Sequence, residues 1–172
     1  MGVAMTSAEL LADAFGRIRE AAHDVLEGLA AGALTVRLDD EANPIAWLLW
    51  HLARVQDDHV AGVADTDQVW TSAGWSARFA LELDDADIGY GHDPDQVAGV
   101  RAGADELLGY IDAVHDATLR FLATVTDAGL DRVVDERWDP PVTLGVRLVS
   151  VIADNLQHVG QAAYVKGILE RR

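Results

Sequence analysis

The sequence contains no cysteine. Disulfides, cysteine-ligated zinc, iron–sulfur clusters and a thiol nucleophile of the chain's own are thereby excluded. Basic charge is scarce, with 13 Lys+Arg against 29 Asp+Glu and a formal net charge of −16. No nucleic acid and no anionic membrane surface is an expected partner, because both would be repelled. Lysine is nearly absent: Lys166 stands alone beside twelve arginines. Together with the preference for Asp, Ala and Val, this composition points to a GC-rich bacterial genome. No run of about 18 uncharged apolar residues exists, so no segment is predicted to span a membrane. The amino terminus, Met1 to Thr6, lacks the basic-then-apolar pattern of a signal peptide, and a cytoplasmic location is expected. No alternating run of β-branched residues occurs, so essentially no sheet is expected.

What is present is helical periodicity. The length of 172 residues suits a single domain over residues 1–172. Thr6 and Glu9 fit a capping box, and an apolar repeat from Leu11 to Leu29 predicts a first helix over Ser7–Ala30. Asn43-Pro44 reads as an N-cap followed by a first-turn proline, opening a second helix that runs to Gly62. Asp93-Pro94-Asp95-Gln96 is a second capping box, and the stripe from Val97 to Val125 predicts one long third helix. Pro140-Pro141 stops the chain, Thr143 caps a fourth helix, and Leu144 to Leu169 carries it. Four amphipathic helices predict an all-α four-helix bundle. The second link, about Val63 to His92, is long enough to cross the bundle, so helices two and three are expected to run parallel.

Polar residues interrupt the apolar stripes at three places. Asp154 and His158 are spaced i, i+4 and stand on one face of the last helix. His51 sits between Leu48 and Leu52 on helix two. Two imidazoles and a carboxylate are a standard ligand set for catalytic zinc with one open position, and nickel, iron or manganese would also fit. Most Asp-x-x-x-His pairs on helices are surface contacts or satisfied hydrogen bonds, and spacing alone does not separate these from a metal site. Gln161 can orient a ligand in the same cavity or bond another helix. Arg147 can bind a substrate carboxylate or pair with Asp154. Arg54 reads as the surface partner of Asp57 or Asp58. His59 reads as a capping or surface residue, and His23, His92 and His115 read as solvated. Trp47, Trp50 and Trp75 wall a pocket or seal the core beneath the crossover.

The segment Asn43-Pro44-Ile45-Ala46-Trp47-Leu48-Leu49-Trp50-His51-Leu52-Ala53-Arg54-Val55-Gln56-Asp57-Asp58-His59 resembles helix two of the DinB-like superfamily, and most nearly its actinobacterial branch. The segment Asp154-Asn155-Leu156-Gln157-His158-Val159-Gly160-Gln161 resembles the family's last-helix motif, H-x-x-x-H-x-G-Q. The loop from Trp70-Thr71-Ser72-Ala73-Gly74-Trp75 to Gly89-Tyr90-Gly91-His92 is also similar to that branch. The resemblance covers essentially the whole chain. It implies an up-down-down-up bundle and a divalent metal, zinc first, held by His51, Asp154 and His158. Asp154 stands where the commonest pattern has His. The mycothiol-dependent maleylpyruvate isomerases have an acidic residue at that place, and the departure points to their side of the family.

The resemblance further implies activation of a low-molecular-weight thiol, since a metal-bound thiol ionises near neutral pH and the thiolate is the nucleophile. The expected function is a metal-dependent transferase or isomerase that joins a thiol, mycothiol in an actinobacterium, to a small electrophile. Gln161, Arg147 and Trp47 are the expected substrate-side residues. The isomerases carry a further carboxy-terminal domain, whereas this sequence stops at Arg172, so maleylpyruvate isomerisation itself is not expected. Two other readings stand beside this one. The first is a non-catalytic stress or ligand-binding protein, as a monomer or a homodimer. The second is a metal-dependent hydrolase, because the same ligands would activate water.

Overall fold

The computed structural model describes residues 5–172. Met1 to Ala4, the start of the segment read for a signal peptide, lie outside them. The helices are α1 (Ser7–Leu26), α2 (Ile45–Ala64), α3 (Val69–Ser72), α4 (Trp75–Phe79), α5 (Pro94–Gly99), α6 (Ala104–Leu122) and α7 (Leu144–Leu169). Short 3-10 turns occupy Ala31–Thr35 and Asp127–Asp131. The four long helices form the core. α2 packs against both α6 and α7, and α1 packs against the same two. Contacts between α2 and α6 advance in the same chain direction, from Arg54–Tyr110 to Gln56–Thr118. Those between α2 and α7 advance oppositely, from His51–His158 to His59–Arg147. Among the described residues, no helix is long and apolar enough to cross a membrane.

Local chemistry sets most of the boundaries. Both capping boxes form, at Thr6–Glu9 and at Asp93–Gln96, and the Thr143 hydroxyl accepts the Val146 N–H at 3.3 Å. Four expectations need correction. α1 stops at Leu26 rather than Ala30, ahead of Gly28, whose φ of +68° is left-handed. α2 has Pro44, not Asn43, at its N-cap; the Pro44 carbonyl accepts the first helical bond from Leu48. The expected long third helix is two helices, α5 and α6, because Gly99 and Gly103 bracket the break and both are poor helix formers. Val100 is extended there and buried, which keeps it on the apolar stripe without a helix. A small antiparallel ladder also exists, Val133–Asp135 against Val142–Thr143, too short to leave an alternating signature in sequence.

α2 is buried almost all round, and its outer face lies under the crossover of residues 65–93. Two charged residues on that face anchor the crossover. Arg54 is fully buried, not a surface partner. Its guanidinium donates to the carbonyls of Asp85 (2.7 Å) and Asp87 (3.2 Å), to Gln68 Oε1 (2.8 Å) and to the Tyr110 hydroxyl (3.3 Å), and it lies 4.7 Å over the Trp70 ring. The Asp57 carboxylate accepts the backbone N–H groups of Val69 (2.8 Å) and Trp70 (2.7 Å), the free donors at the start of α3. Tyr110 on α6 donates to the same carboxylate at 2.8 Å. Trp70, Trp75, Phe79 and Tyr110 close into an aromatic cluster beneath this network.

Removing one member of a buried pair strands the other charge. Asp57→Ala is therefore expected to lower the unfolding free energy by about 3–5 kcal/mol, and Tyr110→Phe by about 1 kcal/mol. Urea titrations of the two variants against the parent protein check both values. A loss below about 1 kcal/mol for Asp57→Ala would refute the anchoring role.

Candidate metal centre

His51 lies on the face of α2 that meets α7, and it is buried. Asp154 and His158 face it from α7, one turn apart. Their neighbour Asn155, turned toward the core, donates instead to Gln56 at 2.9 Å. Each of the three residues offers a donor atom, and those atoms lie within 4.8 Å of one another. Among the described residues, no other set of three His, Asp or Glu side chains converges in this way. The rings of His51 and His158 meet edge to face, 4.8 Å between centroids, and Asp154 Oδ1 lies 3.6 Å from His158 Nε2.

The proton positions follow from the outer hydrogen bonds. His51 Nδ1 donates to the Ile88 carbonyl, so the neutral ring turns an Nε2 lone pair into the site. His158 Nδ1 donates to the side-chain oxygen of Gln161, one turn further along α7, at 3.1 Å, leaving Nε2 toward Asp154. Burial pushes the His51 pKa down against the pull of the Ile88 carbonyl. Asp154 pushes that of His158 up, against burial. Burial also opposes ionisation of Asp154, yet the neighbouring imidazoles prevail and its pKa is lowered. Asp154 Oδ2 is buried with no hydrogen-bond partner. A buried carboxylate oxygen without a donor is costly, and among the described residues no donor reaches Oδ2. A divalent cation satisfies all three donors at once, so the residues fit a three-ligand site.

The crossover completes the site. Ile88 supplies the carbonyl on His51, and Gly89 makes the close approach feasible. A Cβ there would sit 2.6 Å from His51 Nδ1, and its φ of +97° is one that side-chain residues rarely adopt. Tyr90 stands edge-on to His51 at 5.2 Å between ring centroids. Trp47 stacks on the other side of His51, 4.6 Å away and 15° from parallel. His92, expected to be solvated, has a buried side chain: its Nδ1 accepts from Trp47 Nε1 at 3.0 Å and its Nε2 donates to Asp87 at 2.9 Å. Gln161 and Trp47 therefore lie beside the ligands. Arg147 does not pair with Asp154; it binds Asp135 at 3.0 Å and faces His59 Nδ1 at 3.4 Å. His23 bonds Asp112 at the α1–α6 contact, away from the site. Trp50 and Trp75 belong to the core beneath the crossover. Ile88, Gly89 and Tyr90 were not among the sequence candidates; the Gly-Tyr-Gly-His segment was the available signal.

A family model described as DinB superfamily matches residues 14–162, a span that includes all three candidate ligands. A solved structure, the crystal structure of the conserved protein of locus from Enterococcus faecalis, is similar throughout. It is 30% identical, with a TM-score of 0.91, over 98% of this chain and 100% of that one. No curated protein matches the chain.

Two outcomes follow for metal affinity. Gly89→Ala, which forces His51 aside, and Gln161→Ala, which frees the His158 ring, are each expected to weaken it by about 10–100-fold. Protons compete for His158 at a pH above its ordinary value, while His51 is already neutral. Affinity is therefore expected to fall as pH drops through the raised His158 titration, by about tenfold per pH unit for one displaced proton. Competition against a chromophoric chelator across pH measures both, and a flat profile would contradict the assigned protonation states.

Proposed function

We propose that this chain, which belongs to the DinB superfamily, is a metal-dependent enzyme that activates a low-molecular-weight thiol for transfer to, or isomerisation of, a small electrophile. Members of that superfamily often bind metal. The observation that carries the reading is the convergence of one donor atom each from His51, Asp154 and His158 within 4.8 Å, beside a buried Asp154 oxygen that has no hydrogen-bond partner. In this reading His51, Asp154 and His158 hold the cation, with zinc preferred and nickel, iron or manganese as alternatives. When bound, the cation supplies the positive charge that lowers a thiol's pKa toward neutrality.

The chain's own residues do the rest. Asp154 contributes the one negative charge, and the Ile88 carbonyl and Gln161 hold the two rings in their ligating tautomers. Trp47 and Tyr90 flank His51 and wall the site beside it. The thiol comes from a cosubstrate, in keeping with a chain that contains no cysteine. The same reading takes mycothiol as that thiol, the cytoplasm as the location and an up-down-down-up bundle as the scaffold. It takes a monomer or homodimer as the working unit.

Protein purified without a metal-affinity tag is expected to carry close to one equivalent of divalent metal by elemental analysis. His51→Ala and Asp154→Ala are expected to lose it while keeping their helical circular dichroism. Absence of metal from the parent protein, with no uptake on addition, would sink the reading. Given metal, turnover of an electrophile that requires added thiol supports transfer, and turnover without thiol shows a hydrolase instead.

A further inference from the structure

The contact between α2 and α7 continues beyond the three candidate ligands. His59 follows His51 by eight residues, and Arg147 precedes Asp154 by seven. At about 1.5 Å per residue this places the second pair about 10–12 Å further along the two helices. There Arg147 and His59 border a cleft of about 660 Å³, lined also by Asp58, Arg132, Asp135 and Arg137. That volume lies in the range of small-molecule sites.

The Arg147 guanidinium is mostly buried, with 19% of its side chain exposed. Its Nη2 donates to Asp135 and its Nη1 faces His59 Nδ1; among the described residues no acceptor meets its Nε. Asp135 does not neutralise it alone, because that carboxylate also accepts the Arg137 backbone N–H (3.1 Å), Nε (2.9 Å) and Nη2 (2.9 Å). One carboxylate is thus shared between two guanidiniums. Three arginines line this cleft beside three carboxylates, Asp58, Asp135 and Glu136, in a chain whose net charge is −16. Burial and the adjacent Arg147 keep His59 neutral. With Nδ1 facing a group that can only donate, its hydrogen lies on Nε2, a second donor at the cleft. Asp58, 3.6 Å from His59 Nδ1, and Glu136 on the cleft wall are the opposing charges.

We propose that Arg147 and His59 form a carboxylate-recognition subsite for the small molecule that reacts at His51, Asp154 and His158. The substrate class this selects is an acid whose carboxylate lies about 10–12 Å from its reacting atom. The planar guanidinium edge suits a carboxylate, which it can bind through two parallel hydrogen bonds. The proposal rests on the metal reading for the position of the reacting atom, but the subsite is separable from it.

The test uses ω-mercapto acids on metal-loaded protein. Extended 8-mercaptooctanoate spans roughly the 10–12 Å between the two places, whereas 3-mercaptopropionate is too short and 8-mercaptooctanol lacks the charge. The octanoate is expected to bind about tenfold tighter than the other two. Arg147→Met is expected to erase that advantage and leave mercaptooctanol binding unchanged, while Arg147→Lys retains part of it. Asp135 keeps its three Arg137 bonds in both variants, so folding is preserved. Equal affinity for mercaptooctanoate and mercaptooctanol in the parent protein would overturn the subsite, as would an advantage that survives in Arg147→Met. In a second arm, sodium octanoate is added to metal-free protein and the His59 ring nitrogens are followed by NMR. A shift in the parent protein that is absent in Arg147→Met, in a protein that takes up no metal, leaves the subsite standing and the metal reading refuted. No shift in the parent protein overturns the subsite whether or not metal binds.

Discussion

The Arg54–Asp57 pair on α2 is the constraint from which the site descends. Taking two charges out of water costs several kcal/mol per ion, and their mutual attraction at 3.8 Å does not by itself repay this. The remainder comes from the crossover backbone, which offers carbonyls to Arg54 and the free N–H groups of α3 to Asp57. The pair therefore selects one path for the whole connection over residues 65–93. That path brings the Asp87 carbonyl onto Arg54, and the next residue, Ile88, then meets His51. The Asp87 side chain tightens the turn by accepting the Gly89 N–H at 2.8 Å and the His92 ring at 2.9 Å. A buried ion pair that begins one helical turn beyond His51 thus decides which nitrogen of that ring carries its proton.

α7 divides its polar residues between two duties by angle alone. Successive positions on a helix differ by about 100°, so Asp154 and Asn155 cannot share a face. Asn155 turns inward and joins Gln56 and Thr118, stitching α7 to α2 and α6 through side-chain bonds of 2.9 and 2.8 Å. Asp154 turns into the groove, where it meets histidines instead of amides. The inner network aligns the two helices axially, and that alignment sets Asp154 and His158 opposite His51. Polar groups on the core side hold the register on which the polar groups of the groove depend.

This division explains what could be read from sequence. His51, Asp154 and His158 were legible because each interrupts an apolar stripe on a long helix, and helical period alone assigns the face. The capping boxes at Thr6 and Asp93 were legible because they are complete within four residues. Arg54 and Asp57 were not, since two charges three apart on a helix look like a solvent-exposed pair. Their burial is decided by residues 65–93, which lie far along the chain. His92 was misread for the same reason: a loop histidine carries no periodic address. The break between α5 and α6 was masked because Val97, Val100 and Ala104 keep the apolar spacing across it, while the glycines at 99 and 103 interrupt only the backbone.

The resulting site joins a rigid part to an adjustable one. Its three candidate ligands stand on two long helices locked together by the Gln56–Asn155 bond. The side chain most exposed beside them, Tyr90, comes from the crossover between Gly89 and Gly91, with φ of +97° and +74°. Those two left-handed positions let the chain touch His51, project one aromatic ring over it and turn back to bury His92. Substitution at position 90 can change the wall of the site without moving the ligands. Substitution at 89 cannot, because its missing Cβ is what admits the Ile88 carbonyl to His51. Substitution at the ring at 90 or beside Arg147 can therefore alter the surroundings of the site while the donor set stays in place. The donor set itself is held by packing on both helices.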